Sequence, residues 1–210
     1  MGNAEKRKKR EKERQKERAL RRAEEAAGPA IPNRIFYPYP TPEALIAVGP
    51  FLLAAWALPQ PLRVALQAAG RPISRPVSGL MLVDTGAMST CISEAAAQAL
   101  GLQPIRIVKT YGAAGLHDNN VYEAELVIGI DDGKGIRSEL RTPLQTIGVP
   151  QLDEQMKGVQ VAGRDQTLIG LLGRDFLRGA KFIYDGSGSI EIILNPTAFG
   201  GVRDGTPPPI

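Results

Sequence analysis

Short apolar segments separated by turn-forming residues constrain this chain more than any other feature of its sequence. Residues 77–83 are one such segment, and over residues 122–130 apolar side chains occupy every second position, which is typical of a half-buried strand. Residues 181–184 and 190–194 flank the turn Asp-Gly-Ser-Gly-Ser and predict a β-hairpin. With little helical patterning, the sequence predicts an all-β domain that is closed or sandwiched.

A few short elements interrupt this pattern. Residues 93–100 start with a serine suited to an N-cap, continue through good helix formers and end before a glycine, which predicts a helix. A shorter helix-like segment over 62–69 follows a proline and also ends before a glycine. Residues 50–58 predict a strand that ends at the next proline.

The length and composition fit one folded domain with tails. A chain of 210 residues with 43% apolar residues can bury a substantial core. Residues 1–27 are a basic charged tail, and the prolines of residues 28–43 predict a linker. The folded domain is expected over 44–195, and residues 196–210 predict a flexible Gly/Pro-rich tail.

The basic character of the chain belongs to its N-terminal segment. Residues 1–27 contain eleven Lys or Arg and six Glu, a surplus of five, whereas the net charge of the whole chain is +4. Opposite charges three or four positions apart favour a helix surrounded by water. We therefore expect a helical or disordered tail. A nucleic-acid-binding arm over residues 5–22 is the less favoured interpretation, because aromatic residues are lacking there.

The counts of Cys and His exclude several kinds of site. Cys91 is the single cysteine and His117 the single histidine, so an internal disulfide and a structural zinc site are excluded. The charged N-terminus does not resemble a secretory signal, and a lone thiol fits a reducing compartment, so we expect a cytoplasmic protein. The apolar stretch 44–58 is too short to span a membrane, and no membrane partner is expected.

Residues 80–90, Leu-Met-Leu-Val-Asp-Thr-Gly-Ala-Met-Ser-Thr, are the most informative segment for function. An apolar strand delivers Asp84 directly into a turn, where Gly86 permits close backbone approach. The hydroxyl of Thr85 can hold such a turn by hydrogen bonding. Asp-Thr-Gly alone is equally consistent with an ordinary strand-to-turn junction capped by Asp, so its context must decide.

In its context this loop resembles the active site of retropepsins, the single-domain retroviral-type aspartic proteases. Their pattern is two apolar residues, then Asp-Thr-Gly-Ala, then a Thr, and each element is present here up to Thr90. A second hallmark, an apolar-apolar-Gly triplet before a short helix, is matched by Leu171, Leu172, Gly173, Arg174 and Asp175. Between them, at the place of the family's flap hairpin, lie Tyr111, Gly112, Ala113, Ala114 and Gly115. The resemblance spans residues 45–195 and is closer to bacterial than to viral members.

The resemblance implies a closed, barrel-like half of an acid protease that works as a C2 homodimer. It implies an aspartic endopeptidase in which the two subunits hold a water between paired carboxylates, with no metal or other cofactor. The implied residues are Asp84, Thr85 and Gly86 for catalysis, Ala87 and the flap for contact with a protein or peptide substrate, and Thr90 with 171–175 for structural support. The alternative is a retropepsin-fold module that binds peptides or dimerises without cleaving.

Three residues near these motifs have two interpretations each. We interpret Cys91 as a small buried hydrophobe rather than a nucleophile, and His117 as a solvated loop residue rather than a general base. Arg174 is either a surface charge at a helix start or an ion-pair partner beside the turn. Met88 and Ser89 stand where retroviral enzymes carry the acidic partner of this ion pair. The chain therefore departs from the viral pattern at these two positions.

Overall fold

The computed structural model describes residues 34–112, 115–131, 137–155, 160–161, 164–195 and 198. Every described element lies in one compact unit, Asn33–Ile210. The strands are β1 (Arg34–Pro38), β2 (Phe51–Ala57), β3 (Val77–Val83), β4 (Cys91–Ser93), β5 (Arg106–Gly112), β6 (Gly115–Asp131), β7 (Arg137–Val149), β8 (Gln160–Val161), β9 (Arg164–Asp165), β10 (Leu168–Leu172), β11 (Ala180–Asp185) and β12 (Ser189–Leu194). The helices are α1 (Pro42–Val48), α2 (Gln60–Ala68), α3 (Glu94–Leu100) and α4 (Arg174–Leu177), and Leu152–Glu154 form a 3-10 turn.

Six strands form a closed ring. Their order is β2-β3-β10-β4-β7-β6, and pairing between β2 and β6 closes it, with Ala54 opposite Ile128. The β3–β10 and β4–β7 pairs are parallel, whereas the other pairs of the ring are antiparallel. Within the described residues β5 pairs with β6 alone, so the β5–β6 hairpin is an extension of the ring. The predicted all-β, closed barrel is confirmed at this level.

The ring encloses the hydrophobic core. Trp56, Leu126 and Ile128 are at most 1% exposed, and burial of side chains of this size is the main favourable term in folding. The indole Nε1–H of Trp56 donates to the carbonyl of Ile169 over 3.1 Å, so the one polar atom of this side chain is satisfied inside the core.

Strand β6 is more deeply buried than its alternating pattern predicts. Glu125, on the face expected to meet solvent, is 5% exposed. Its Oε2 accepts from Arg63 of α2 over 2.9 Å and from Arg141 of β7 over 3.0 Å. Helix α2 thus places Arg63 against this face and covers it. The alternating pattern of β6 cannot predict such a tertiary contact.

The Pro-rich segment predicted to be a linker is structured from residue 34 onward. Strand β1 pairs antiparallel with β12, and Pro38 is its last residue on the sheet edge, where the missing N–H breaks no ladder. Thr41 caps α1 by accepting from the Ala44 N–H over 3.2 Å. The linker prediction is therefore wrong for residues 34–43, while residues 28–33 lie outside the described part, as do the tail at 1–27 and nearly all of 196–210.

Several local predictions agree with the structure. The hairpin over 181–184 and 190–194 appears as β11 and β12, which join β1 in a three-stranded sheet. Helix α3 begins after Ser93, whose Oγ accepts from the Ala96 N–H over 3.1 Å, and it ends at Gly101 with φ 72°. The apolar stretch 44–58 divides between α1 and β2, and none of the described helices is long and apolar enough to cross a membrane.

Candidate active site

Asp84 follows the last residue of β3, where β3 and β10 run in parallel. Val83 pairs with Leu172, and the Asp84 N–H donates to the Leu172 carbonyl over 3.0 Å. The Asp84 carboxylate is half-buried. Its Oδ1 accepts from the N–H of Gly86 over 2.8 Å and from that of Ala87 over 3.2 Å. These two bonds fix the carboxylate, and no donor among the described residues reaches its Oδ2.

Gly86 leaves room for this arrangement. A Cβ at that position would lie 3.1 Å from Asp84 Oδ1, which is tighter than ordinary contact. The turn is closed by a further hydrogen bond from the Ala87 N–H to the Asp84 carbonyl, over 3.2 Å. Thr85 is exposed, and its hydroxyl has no partner in the described part of the chain. The predicted hydrogen bond from Thr85 to the turn is therefore not among the contacts of the described residues, and other side chains brace the loop.

The brace consists of Thr90 and Asp175. Thr90 is fully buried. Its N–H donates to both oxygens of Asp175 over 2.9 Å, and its hydroxyl donates to Oδ1 over 2.7 Å. Thr90 Oγ1 in turn accepts from the Gly173 N–H over 3.1 Å, and Asp175 Oδ1 also accepts from the Phe176 N–H over 2.8 Å. Residues 85 positions apart are thereby joined into one network.

Helix α4 starts against the same loop. The N–H groups of Arg174 and Asp175 donate to the carbonyls of Ala87 and Met88 over 3.0 and 3.2 Å. The structure therefore brings together the residues of both sequence motifs: Asp84, Gly86, Ala87, Thr90, Leu171, Leu172, Gly173, Arg174 and Asp175. The Arg174 side chain is exposed, and no described carboxylate lies within ion-pair distance of it, which fits a surface charge at the helix start.

The predicted flap coincides with the β5–β6 hairpin. Gly112 pairs with Gly115, while Ala113 and Ala114 lie outside the described residues. Tyr111 is 86% exposed, and Leu116, its cross-strand partner, is 62% exposed. Among the described residues, no hydrogen bond joins this hairpin to the loop of Asp84.

Cys91 and His117, the alternative nucleophile and general base, differ in their exposure to solvent. Cys91 is buried, its Sγ donates to the Ser89 carbonyl over 3.3 Å, and burial raises its pKa to about 12, with further contributions from Asp175 and Asp84. Its thiol is therefore neutral at physiological pH, as a buried hydrophobe would be. His117 is exposed but lies in strand β6 opposite Thr110, so its assignment to a loop is wrong.

Thr146 belongs to the site and was not predicted. It is fully buried on β7, and its hydroxyl donates to the Thr90 carbonyl over 2.9 Å. In the sequence a threonine at this position is an ordinary β-strand residue. Only the β4–β7 pairing, which joins residues 56 positions apart, could have indicated its role.

A carboxylate held by two backbone N–H groups, with its second oxygen unengaged, can take up or release a proton and can bind water. Within the described residues, no group of three or more His, Cys, Asp or Glu side chains could hold a metal ion. Comparisons with protein-family models, curated proteins and solved structures give no match to this chain.

Proposed function

We propose that this chain is an aspartic endopeptidase of the retropepsin type, active as a homodimer in which each subunit contributes Asp84. The observation that carries the proposal is the hydrogen bonding of the Asp84 carboxylate. One oxygen is fixed by two backbone N–H groups, and the other is unengaged among the described residues. The loop is held rigidly by Thr90 and Asp175, and such preorganisation is what positioned acid–base chemistry needs.

The second carboxylate must come from another chain. Asp185 also precedes a glycine, but it ends β11 at the turn to β12, where its Oδ1 accepts from the Ser187 N–H over 2.9 Å. It serves that turn and follows no buried strand, while Asp132 and Asp204 lie outside the described residues. A twofold axis is the simplest symmetry that brings two copies of one loop face to face.

The proposed chemistry is hydrolysis of a peptide bond. Two carboxylates a few ångström apart share one proton, because both cannot be charged at once. The charged carboxylate takes a proton from the bound water, whose oxygen attacks the carbonyl carbon of the peptide. The protonated carboxylate gives its proton to the carbonyl oxygen, which yields a tetrahedral intermediate with two hydroxyl groups. The C–N bond then breaks as the first carboxylate passes its proton to the leaving nitrogen, and the second carboxylate recovers a proton from one of the hydroxyl groups. Each step uses the unengaged oxygen of Asp84.

The proposed substrate is an extended protein or peptide segment. The β5–β6 hairpin supplies exposed apolar side chains at Ile107, Tyr111 and Leu116, suited to covering such a segment. Residues 107, 111 and 116 lie on one face of the hairpin, since Tyr111 pairs with Leu116 and Ile107 lies four positions before Tyr111.

Replacing Asp84 tests the proposal. Asp84→Asn keeps the size of the side chain but removes the shared-proton chemistry, so cleavage of casein or of a peptide library should fall to background. The matched control is Asp185→Asn, which changes an exposed turn carboxylate and should leave cleavage unchanged. Undiminished cleavage by Asp84→Asn contradicts the proposal. A wild-type protein that binds peptides but never cleaves them would instead establish a binding module on this fold.

A further inference from the structure

Strand β6 leaves the barrel at Val121. That residue pairs with Ile147 on β7 and also with Arg106 on β5. Residues 115–120 of β6 pair with β5 and form the hairpin, whereas residues from 122 onward pair with β7 and belong to the ring. Val121 is thus the base of the hairpin, and contacts on either side of it determine how freely the hairpin moves.

A cluster of three polar side chains spans this base. Glu94, the first residue of α3, accepts from the Tyr122 hydroxyl at Oε2 over 2.6 Å and from Asn120 Nδ2 at Oε1 over 3.2 Å. Asn120 Nδ2 also lies 3.2 Å from the Tyr122 hydroxyl oxygen. Asn120 is on the hairpin side of Val121 and Tyr122 on the barrel side, so one carboxylate ties both to α3.

The cluster occupies a space that the barrel leaves for it. Tyr122 is 4% exposed, so its hydroxyl has few alternatives to the carboxylate. At Gly148 of β7, a Cβ would lie 2.7 Å from Tyr122 Cε2 and would also collide with the Glu94 carboxylate. Bonds to a charged acceptor are about twice as strong as neutral ones, and these bonds are partly buried.

We propose that Glu94, Asn120 and Tyr122 form a clasp that holds the β5–β6 hairpin in position over substrate, and that they are positioning residues for the site. The effect on catalysis rests on the proposed function, whereas the restraint on the hairpin does not. Glu94 follows β4, which in turn follows the loop of Asp84. One short stretch of chain therefore carries both the candidate catalytic carboxylate and the anchor of the hairpin.

The clasp restrains the hairpin without closing the barrel. None of its residues lies on β2, β3 or β10, so its loss should leave the core ring paired. Losing a hydrogen bond to a charged group changes a local opening equilibrium roughly ten- to a hundredfold. The amides of Arg106–Gly112 should therefore exchange faster by about that factor, while those of Val77–Val83 keep their protection.

The test is native-state hydrogen exchange on the full chain with Tyr122→Phe and, separately, Asn120→Ala. Asn120 is only partly buried, so its variant keeps the test valid if Tyr122→Phe fails to fold. The matched controls are Tyr184→Phe and Glu123→Gln, both exposed, which should leave the exchange of β5 unchanged. Glu94→Gln combined with Tyr122→Phe should cost less than the sum of the two single changes, since the two residues share one bond.

Peptide kinetics provide the second readout. Loss of the clasp should raise KM several-fold with a smaller change in kcat, because the hairpin engages substrate and does not carry out the chemistry. Unchanged exchange of β5 in both variants overturns the clasp, as does an equal acceleration in β3 that reveals a general packing defect. If the wild-type chain cleaves no peptide, the proposed function fails, while the exchange data still decide whether the clasp exists.

Discussion

Asp175 and Asp84 lie in the same site but differ in the hydrogen bonds that their carboxylates accept. Asp175 accepts from the N–H and hydroxyl of Thr90 and from the Phe176 N–H, so its carboxylate is committed to structure. Asp84 accepts at one oxygen only among the described residues. An unpaired buried polar group costs about 1–3 kcal/mol, so the Thr90–Asp175 network stabilises the loop only when it is complete. We infer that this contrast separates the supporting carboxylate from the reactive one.

Cys91 gives a prediction at the scale of one residue. Burial raises the pKa of its thiol from an ordinary value of 9.0 to about 12, and the thiolate is the reactive form. Iodoacetamide at pH 8 should therefore modify Cys91 far more slowly in the folded protein than in urea. The unfolded chain serves as the control for reagent activity. Rapid modification of the folded protein would contradict a buried, neutral thiol.

The same shift predicts how stability depends on pH. The folded protein holds the Cys91 proton more tightly than the unfolded chain, so this contribution is complete below pH 9 and is lost as the pH rises toward about 12. Tyr39 and Tyr122, whose pKa values burial also raises to about 12, act in the same direction. The Cys91→Ala variant lacks the contribution of the thiol. Its free energy of unfolding, measured in urea at a series of alkaline pH values, should therefore fall less steeply with pH than that of the wild type.

At the scale of elements, the junction between β10 and α4 depends on the absence of a side chain at Gly173. A Cβ there would lie 2.6 Å from the Ser89 carbonyl oxygen and 2.8 Å from the Thr90 nitrogen. Both contacts are with backbone, which cannot rotate away as a flexible side chain can. The start of α4 can therefore approach the loop of Asp84 only with glycine at this position.

Gly173→Ala should consequently destabilise the protein and displace the loop. The expected loss in free energy of unfolding is about 1–3 kcal/mol, as for other overpacked sites, measured by urea denaturation. Gly129→Ala is the matched control, since a Cβ at Gly129 meets nothing within 4 Å, and it should stay within about 0.5 kcal/mol of wild type. Equal stabilities of the two variants would show that the junction is not tightly packed.

Local signals in the sequence predicted the elements they belong to. The serine cap and following glycine located α3, and the apolar segment 77–83 coincides with β3. Non-local pairings were not predictable in this way. The prolines around β1 concealed a strand that is held in place by β12, more than 150 positions further on. Likewise, nothing in the sequence joins Thr146 to Thr90, or Glu94 to Tyr122, because each contact requires the strand order of the ring.

At the scale of the whole molecule, one Asp-Thr-Gly loop per chain would make the proposed activity a property of an assembly. Under the proposed function, specific activity should rise with protein concentration until the dimer is saturated. Two copies joined in tandem by a flexible linker should show specific activity independent of concentration. A tandem with Asp84→Asn in one copy should be inactive as an intramolecular dimer. Full activity from a species that sediments as a monomer would contradict this arrangement.

The distance along the chain between Thr90 and Asp175 has a consequence for biosynthesis. The loop of Asp84 emerges from the ribosome well before Asp175, which lies 85 positions after Thr90. Contacts between distant segments form late, because a long loop must close before they give any stabilisation. The segment with β10 and α4 must therefore be synthesised before the loop can reach its final geometry. A nascent chain that stops short of Asp175 would lack an assembled site, and under the proposed function its activity would be withheld until that segment has been made.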